Sequence, residues 1–190
     1  MQSVLSAVLL LLFFSLLGLR VAMLRKRGVR VIVFGATDRS DFLLLPVFLA
    51  LIYAVLAAAF NLPAPRPLIQ PFWISPGIGW LGLALSAAAL AALAATLYSF
   101  GNSFRVGIDE KRPDRLVTTG AFAVSRNPVY VCFLIFFSGL FLGNPNALMA
   151  AFTVLMALAI HRQILREEAF LTRRYGEAYS KYQKRVRRYL

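Results

Sequence analysis

The chain has 190 residues, of which 59% are hydrophobic, and it carries a formal net charge of +13. This apolar share is well above that of a soluble domain and indicates an integral membrane protein that forms one compact bundle. The positive charge does not indicate nucleic-acid binding, because it is distributed by predicted topology and no nucleic-acid-binding motif accompanies it.

Five apolar runs follow one another along the chain. A helix needs about 20 apolar residues to cross a hydrocarbon core of roughly 30 Å. The first run lacks the basic start and cleavage site of a signal peptide, so we count it as a span. The runs are Val4 to Met23, Phe42 to Phe60, Ile78 to Phe100, Val129 to Gly143, and Ala147 to Ile160. The sequence therefore predicts an all-α integral membrane fold with five transmembrane helices.

The last two runs are short and are separated only by Asn144-Pro145-Asn146. This spacing predicts a tight helical hairpin whose second helix continues into the charged sequence HRQILREEAFL. Asn127 and Pro128, just before the hairpin, are typical of an N-cap and a first helical residue. After the hairpin, Gly176 is expected to divide a C-terminal helical tail into two helices.

Basic residues lie almost entirely on one side of this predicted topology. Six lie from Arg20 to Arg39, five precede the fourth span and nine lie in the tail, whereas only Arg66 lies between the second and third spans. Because basic residues near span ends mark the cytoplasmic side, we expect the N-terminus outside and the tail in the cytoplasm. The protein is thus predicted to lie in the inner (cytoplasmic) membrane as one domain, with three spans in residues 1–100 and a loop, hairpin and tail in 101–190.

Polar residues flank both ends of the predicted hairpin, and a tight hairpin brings its two ends together. A site at the rim of the bilayer can join a water-soluble reactant to a lipidic one, although snorkelling and helix-capping residues explain the same pattern equally well. The single cysteine and single histidine provide neither an internal disulfide nor a metal-ligand cluster. The residues expected to meet are Arg126, Asn127 and Tyr130 on one side and His161, Arg162, Gln163, Glu167 and Glu168 on the other.

Two motifs around the hairpin carry a family resemblance. The order LVTTGAFAVSRNPVY, an apolar hairpin, then EEAFLTRRYGEAYSKYQKRV resembles the isoprenylcysteine carboxyl methyltransferase and phospholipid methyltransferase superfamily. Its members carry an Arg-His-Pro-x-Tyr motif before the hairpin and a Glu-Glu-x-x-Leu motif after it. The resemblance covers residues 114 to 187. It implies transfer of a methyl group from S-adenosylmethionine to a lipophilic acceptor that enters from the membrane.

The same resemblance implies a set of site residues. Glu167 and Arg126 are expected to be catalytic, with Gln163, Arg162 and Glu168 on the substrate side. The Glu167 carboxylate can hold a cationic group, and the aromatic faces of Phe122 and Tyr130 attract positive charge. Methyl transfer from a sulfonium disperses charge, so the protein mainly supplies alignment and a dry pocket. The cofactor-binding residues implied are Leu116, Val117, Phe122, Asn127, Pro128, Tyr130 and Glu167.

The chain also departs from the family pattern. Asn127 stands where His is commonest, which keeps a hydrogen-bonding group but removes a titratable one. Gln163 stands where the prenylcysteine branch places an Arg for the substrate carboxylate, which argues against a prenylcysteine acceptor. Two other functions stay open: a nicotinamide-dependent membrane reductase of the steroid-reductase type, and a non-catalytic membrane protein whose basic tail binds anionic membrane lipids.

Simpler structural roles also account for some of these residues. Glu167 and Glu168 lie at helical spacing from several arginines, and ion pairs along the helix are an alternative to a site. An amphipathic stripe in the tail is expected to pack against the bundle or to lie among lipid headgroups. The stripe consists of Leu171, Tyr175, Tyr179, Tyr182 and Val186.

Overall fold

The computed structural model describes residues 1–26, 44–100 and 116–190. Within these ranges the secondary structure is helical, without a β-strand, which confirms the all-α prediction. The predicted cytoplasmic loops, Arg25 to Asp41 and Gly101 to Arg126, lie largely outside the described residues. The helices are α1 (Gln2–Lys26), α2 (Leu44–Phe60), α3 (Arg66–Ile69), α4 (Pro76–Phe100), α5 (Pro128–Gly143), α6 (Ala147–Tyr175) and α7 (Glu177–Arg185), with a 3-10 turn at Gly120–Ala123.

Each predicted apolar run forms a helix. Three helical segments in the described chain are long and apolar enough to cross a membrane: Gln2–Lys26, Pro76–Tyr98 and Ala147–Tyr175. Helices α2 and α5 are apolar but shorter, at 17 and 16 residues. A multi-pass membrane protein follows from these lengths, while the count of five spans and the side on which each terminus lies stay predictions.

Helices α4 and α5 pack closely through small residues. A Cβ atom added to Gly139 would lie 2.9 Å from the backbone nitrogen of Ser86, and one added to Gly82 would lie 2.8 Å from the Cβ atom of Leu142. The Ser86 hydroxyl donates a 3.0 Å hydrogen bond to the carbonyl of Phe136. Small residues let helix backbones approach in a membrane, where apolar burial alone gives little drive for association.

A cluster of phenylalanines joins the other spans. The ring of Phe13 on α1 stacks on that of Phe136 on α5, with centroids 4.6 Å apart. Phe137 contacts Phe152 on α6 edge to face at 5.0 Å, and Phe48 on α2 contacts the same Phe152 ring at 5.7 Å. These aromatic pairs fill the centre of the bundle and hold α5 against both α1 and α6.

Helices α5 and α6 form the predicted hairpin. Asn146 caps α6 by accepting a 2.9 Å hydrogen bond from the Met149 backbone nitrogen, and Asn144 donates to the Ser6 hydroxyl at 2.8 Å. Helix α6 continues to Tyr175, so it carries HRQILREEAFL as predicted. Gly176 has a φ of +53° and separates α6 from α7, which confirms the predicted break in the tail.

Candidate functional site

Glu168 is a buried carboxylate held between two arginines. Its Oε1 atom lies 3.1 Å from Arg126 Nη2, and its Oε2 atom lies 2.8 Å from Arg188 Nη2. Asn127 donates a further 3.3 Å hydrogen bond to Oε1. We call these four residues the Glu168 cluster. Because two guanidinium groups neutralise it, Glu168 does not offer a free negative charge to a ligand.

Arg126 also connects α5 to the end of α7. Its Nη1 atom donates to the carbonyls of Gln183 at 2.9 Å and Val186 at 3.2 Å. A cation at the carboxyl end of a helix is favourable, because the last carbonyls of the helix have no partner within it. The Arg126 backbone nitrogen bonds the Arg187 carbonyl at 2.9 Å. The predicted catalytic Arg126 is therefore engaged in holding the tail against the start of α5.

Asn127 occupies the predicted position but forms different bonds. It is the N-cap residue of α5 and Pro128 is the first helical residue, yet the Asn127 side chain makes no capping hydrogen bond. Its amide instead donates to Glu168 and to the Arg188 carbonyl, the latter at 3.1 Å. Capping requires the side-chain oxygen to accept, whereas the carboxylate of Glu168 draws the NH₂ group. Asn127 and Pro128 therefore occupy the predicted N-cap and first helical positions, but the N-cap has no side-chain hydrogen bond.

Glu167 lies beside Glu168 in sequence but in a different environment. Its Oε1 atom accepts a 2.6 Å hydrogen bond from the Tyr130 hydroxyl and a 2.9 Å hydrogen bond from Gln163 Nε2. Within the described residues these neutral donors are its hydrogen-bonding partners. We call Tyr130, Gln163 and Glu167 the Glu167 site. Its partly buried carboxylate has no counter-ion among the residues that the structure describes, which is an arrangement that attracts a cationic ligand.

A second hydrophobic cluster joins the tail to the segment before α5. Phe122, Tyr179 and Tyr182 are buried, and Leu116 and Val117 pack on them. The Tyr182 hydroxyl donates a 2.6 Å hydrogen bond to the Phe122 carbonyl. Burial raises the pKa of Tyr182 to about 12, so this donor keeps its proton at neutral pH. The amphipathic stripe of the tail therefore packs against the protein, as one of its two interpretations predicted.

Two cavities adjoin this region. The first, of about 690 Å³, lies between residues 116–123 and α7, and we call it the basic cavity because Lys181 and Arg185 line it. The second, of about 490 Å³, lies between α4 and α5, and we call it the apolar groove. Both are lined by Gly120, whereas neither is lined by Tyr130 or Glu167.

Sequence comparison places the chain in a family. The family model for phospholipid methyltransferases matches residues 72–178, which is more than half of the chain. The chain belongs to the phospholipid methyltransferase family. No curated protein and no solved structure gave a match. Membership indicates a membrane methyltransferase, and neither the reductase nor the purely lipid-binding alternative gains support from it.

In this family member the implied site residues fall into separate groups. Tyr130, Gln163 and Glu167 meet at one place, and Arg126, Asn127 and Glu168 meet at another. A third group, Leu116, Val117 and Phe122, packs on the tail, while Pro128 lines the apolar groove. Arg162 is exposed on α6, and His161 Nδ1 lies 2.6 Å from the Tyr189 hydroxyl.

Two tail residues of this methyltransferase-family protein have contacts that the sequence did not predict. Arg188 pairs with Glu168, and Tyr189 stacks on His161 with ring centroids 6.3 Å apart. Nothing in the run KRVRRYL distinguishes Arg188 from Arg185 or Arg187. A weak signal was available, because a buried carboxylate needs a positive partner and the tail carries many of the basic residues.

Proposed function

We propose that the protein transfers a methyl group from S-adenosylmethionine to a lipophilic acceptor that enters from the bilayer. The observation that supports this most directly is the Glu167 carboxylate, which is oriented by Tyr130 and Gln163 and has no cationic partner among the described residues. In a member of a methyltransferase family, a cation-binding carboxylate beside the membrane helices fits a sulfonium-containing cofactor.

The chemistry of the Glu167 site fits the cofactor. S-adenosylmethionine carries a sulfonium and an ammonium and, when bound, supplies an electrophilic methyl group. Glu167 would hold a cationic group, and the Tyr130 hydroxyl and Gln163 amide keep its carboxylate in one orientation. Leu116, Val117 and Phe122 would contribute apolar surface from the segment that packs on the tail. Asn127, which bonds Glu168, and Pro128, which lines the apolar groove, lie at the start of α5 beside this segment.

The remaining polar residues act by positioning. Arg126 and Glu168 hold each other and, through the carbonyls of Gln183 and Val186, hold the end of α7 near the start of α5. Methyl transfer needs alignment and exclusion of water more than it needs an acid or base. We therefore assign Arg126 and Glu168 the role of fixing the wall formed by the tail, and we assign cofactor contact to Glu167.

The acceptor is proposed to be a lipid with a neutral or amine-bearing head. Gln163 lies one helical turn before Glu167 and donates to it, so this position supplies no positive charge for an acceptor carboxylate. The Glu167 site follows the apolar part of α6 along the chain, where an amphiphile and a soluble cofactor can meet. We place this site on the cytoplasmic side of the inner membrane, with the N-terminus outside.

Calorimetric titration of the detergent-purified protein with S-adenosylmethionine and, separately, with NADPH tests the proposal. We expect saturable binding of S-adenosylmethionine and none of NADPH. Methyl transfer from labelled S-adenosylmethionine to a bacterial lipid extract should then be detected in the lipid fraction. Binding of NADPH instead would favour a reductase, and binding of neither ligand would reject the cofactor assignment.

A further inference from the structure

The link between α5 and α6, Asn144-Pro145-Asn146, is buried, whereas connections between helices usually lie in water. Its polar groups have partners within the protein. Asn144 donates to the Ser6 hydroxyl, and Asn146 caps α6. The Pro145 carbonyl accepts a 2.6 Å hydrogen bond from the Phe72 backbone nitrogen. Backbone outside a helix is tolerated at membrane depth where the protein buries it and bonds its polar groups, and the link meets this condition.

Helix α5 is shorter than the hydrocarbon core of a membrane is thick. Its 16 residues extend about 24 Å, against a core of roughly 30 Å. The helix starts at Pro128, directly after Asn127 of the charged Glu168 cluster, so we place this start at one membrane surface. The other end of α5, at Gly143, then lies roughly 6 Å below the opposite surface of the core. Another part of the chain has to cover the link at that end.

Residues 61–75, which join α2 to α4, lie over the link, and we call them the cover segment. In addition to the hydrogen bond from Phe72 to Pro145, the Trp73 ring contacts Phe141 near the end of α5. These two rings meet edge to face, with centroids 5.6 Å apart. The short helix α3 within the cover segment contacts α6. The cover segment is therefore folded onto the end of the hairpin.

The exposed surface of the cover segment and of the start of α4 is apolar and aromatic. Residues 61–80 contain Arg66 as their one charged residue and no acidic residue. Exposed aromatic side chains beside a membrane helix are typical of the headgroup region, where the ring lies among apolar groups and the indole N–H stays hydrated. The large exposed apolar side chains of this surface include Leu62, Leu68, Phe72, Trp73, Ile74 and Trp80.

We propose that the cover segment lies in the headgroup region of one membrane leaflet, with its exposed apolar side chains among the lipids and the link beneath it. The candidate span Pro76–Tyr98 begins at the next residue, and Trp80 is exposed about one turn along it. The apolar surface of the cover segment thus continues into that of a membrane helix, which favours lipid over a second protein as its partner. This surface lies at the end of α5 away from Tyr130, so it is separate from the Glu167 site.

Intrinsic fluorescence tests the proposal, because Trp73 and Trp80 are the two tryptophans of the chain. The variant Trp80→Phe leaves Trp73 as the single reporter. The full-length variant is placed in phosphatidylcholine nanodiscs, which leave both membrane surfaces accessible. A nitroxide on the lipid headgroup should quench Trp73 several-fold more than a nitroxide at the end of the acyl chain. Iodide in the water should quench Trp73 several-fold less than it quenches free N-acetyltryptophanamide.

The other quenching patterns overturn the proposal. Strong quenching of Trp73 by iodide would place the cover segment in water. Strongest quenching by the nitroxide at the chain end would place it deep in the hydrocarbon core. Protection from iodide and from both nitroxides would show that protein, such as a second copy of the chain, covers Trp73.

Substitution of Ile74 tests the environment of the cover segment at a side chain that is 89% exposed. In the Trp80→Phe background, Ile74→Asp places a charge among the lipids. It should shift the Trp73 emission to longer wavelength and raise iodide quenching about twofold or more, because the charge draws the cover segment toward water. The matched change Ile74→Leu keeps the position apolar and should behave like Trp80→Phe alone. The same emission and quenching in both Ile74 variants would overturn the proposal.

Discussion

Tyr130 on α5 donates a 2.6 Å hydrogen bond to Glu167 on α6, across a separation of 37 residues in sequence. The hairpin produces this contact, because the two helices run back to the same end of the bundle. One residue later, Glu168 points to the two arginines of its own cluster, as consecutive helical residues project about 100° apart. Adjacent carboxylates are therefore in different environments: Glu168 is paired with two arginines, whereas Glu167 accepts hydrogen bonds from the neutral donors Tyr130 and Gln163.

Glu167→Gln is expected to weaken S-adenosylmethionine binding by roughly one to two orders of magnitude. The substitution keeps the side-chain shape but removes the charge, and a charge-assisted contact contributes about 1.5 to 3 kcal/mol. Tyr130→Phe should cause a smaller loss, of roughly fivefold, because it removes only the hydrogen bond that orients the carboxylate. Calorimetric titration of each purified variant gives the affinities.

The matched control for this prediction is Glu177→Gln, which removes a carboxylate from the exposed face of α7. Its affinity for the cofactor should equal that of the parent. If Glu167→Gln also binds S-adenosylmethionine like the parent, Glu167 does not contact a cationic group of the cofactor. The assignment of this site then fails.

Glu168→Gln is expected to destabilise the fold more than it affects cofactor contact. Removing one partner of a buried ion pair leaves an uncompensated charge and costs about 3 to 5 kcal/mol, here at Arg126 and Arg188. For a chain of this length the thermal unfolding midpoint should fall by about 6 °C or more. Thermal unfolding in detergent, followed by circular dichroism, measures the change.

The loss of stability on breaking an ion pair depends on how exposed the pair is. The exposed pair Lys181–Glu177 is therefore the comparison for the buried Glu168 cluster. It has a similar distance, 2.9 Å, but lies in water, and breaking it should leave the unfolding midpoint essentially unchanged. A double variant, Arg126→Met/Glu168→Leu, should lose less stability than the sum of its single changes, since no buried charge remains at that pair. Additive losses would show that the two residues stabilise the fold independently.

The helices could be predicted closely from the sequence because their apolar composition determines them. The run Ala147 to Ile160 and the polar HRQILREEAFL form one helix, and Gly176 ends it where the sequence indicated. A short Asn-Pro-Asn link leaves no other way to connect two apolar helices than a hairpin. Gly82 and Gly139 gave no comparable signal in the sequence, since their close contact depends on how α4 and α5 approach each other in three dimensions.

The site could be predicted only in part. The contact between Tyr130 and Glu167 follows from the hairpin. The hydrogen-bonding partners of the Asn127 side chain do not, because an amide can accept or donate and the groups that surround it in the fold determine which it does. Arg188 was missed for a related reason: in a basic run every arginine has the same local pattern. Glu167 and Glu168 have different partners because only one of the two side chains faces the returning tail. The sequence alone does not show which one does.

Gly139→Ala is expected to loosen the α4–α5 contact. The new Cβ atom would lie 2.9 Å from the Ser86 backbone nitrogen, so the helices must separate, at a cost of about 1 to 3 kcal/mol. Gly18→Ala on α1 is the matched change, because no atom lies within 4 Å of its Cβ position. That variant should be neutral or more stable by up to about 1 kcal/mol, as Ala favours a helix over Gly. Thermal unfolding of the two variants distinguishes them.

We predict the orientation of the chain from its charge asymmetry, and this prediction can be checked directly. A reporter enzyme that is active only outside the cytoplasm should be active when fused after Pro65 and inactive when fused after Leu190. The reason is that basic residues cluster in the tail, whereas only Arg66 lies in the segment between α2 and α4. The opposite pattern of activity would place the Glu167 site outside and remove its access to a cytoplasmic cofactor.

Gln163→Arg is expected to shift acceptor preference toward a carboxylate. In the parent, Gln163 is neutral and bonds Glu167, so a prenylcysteine carboxylate meets no positive charge there and should be methylated poorly. An arginine at this position adds the missing charge, although part of it will pair with Glu167 and weaken cofactor binding. The ratio of kcat/KM for a prenylcysteine analogue to that for a lipid extract cancels this shared effect, and it should rise about tenfold or more. Efficient prenylcysteine methylation by the parent would contradict the prediction and would show that another basic residue, such as Arg162, meets the acceptor.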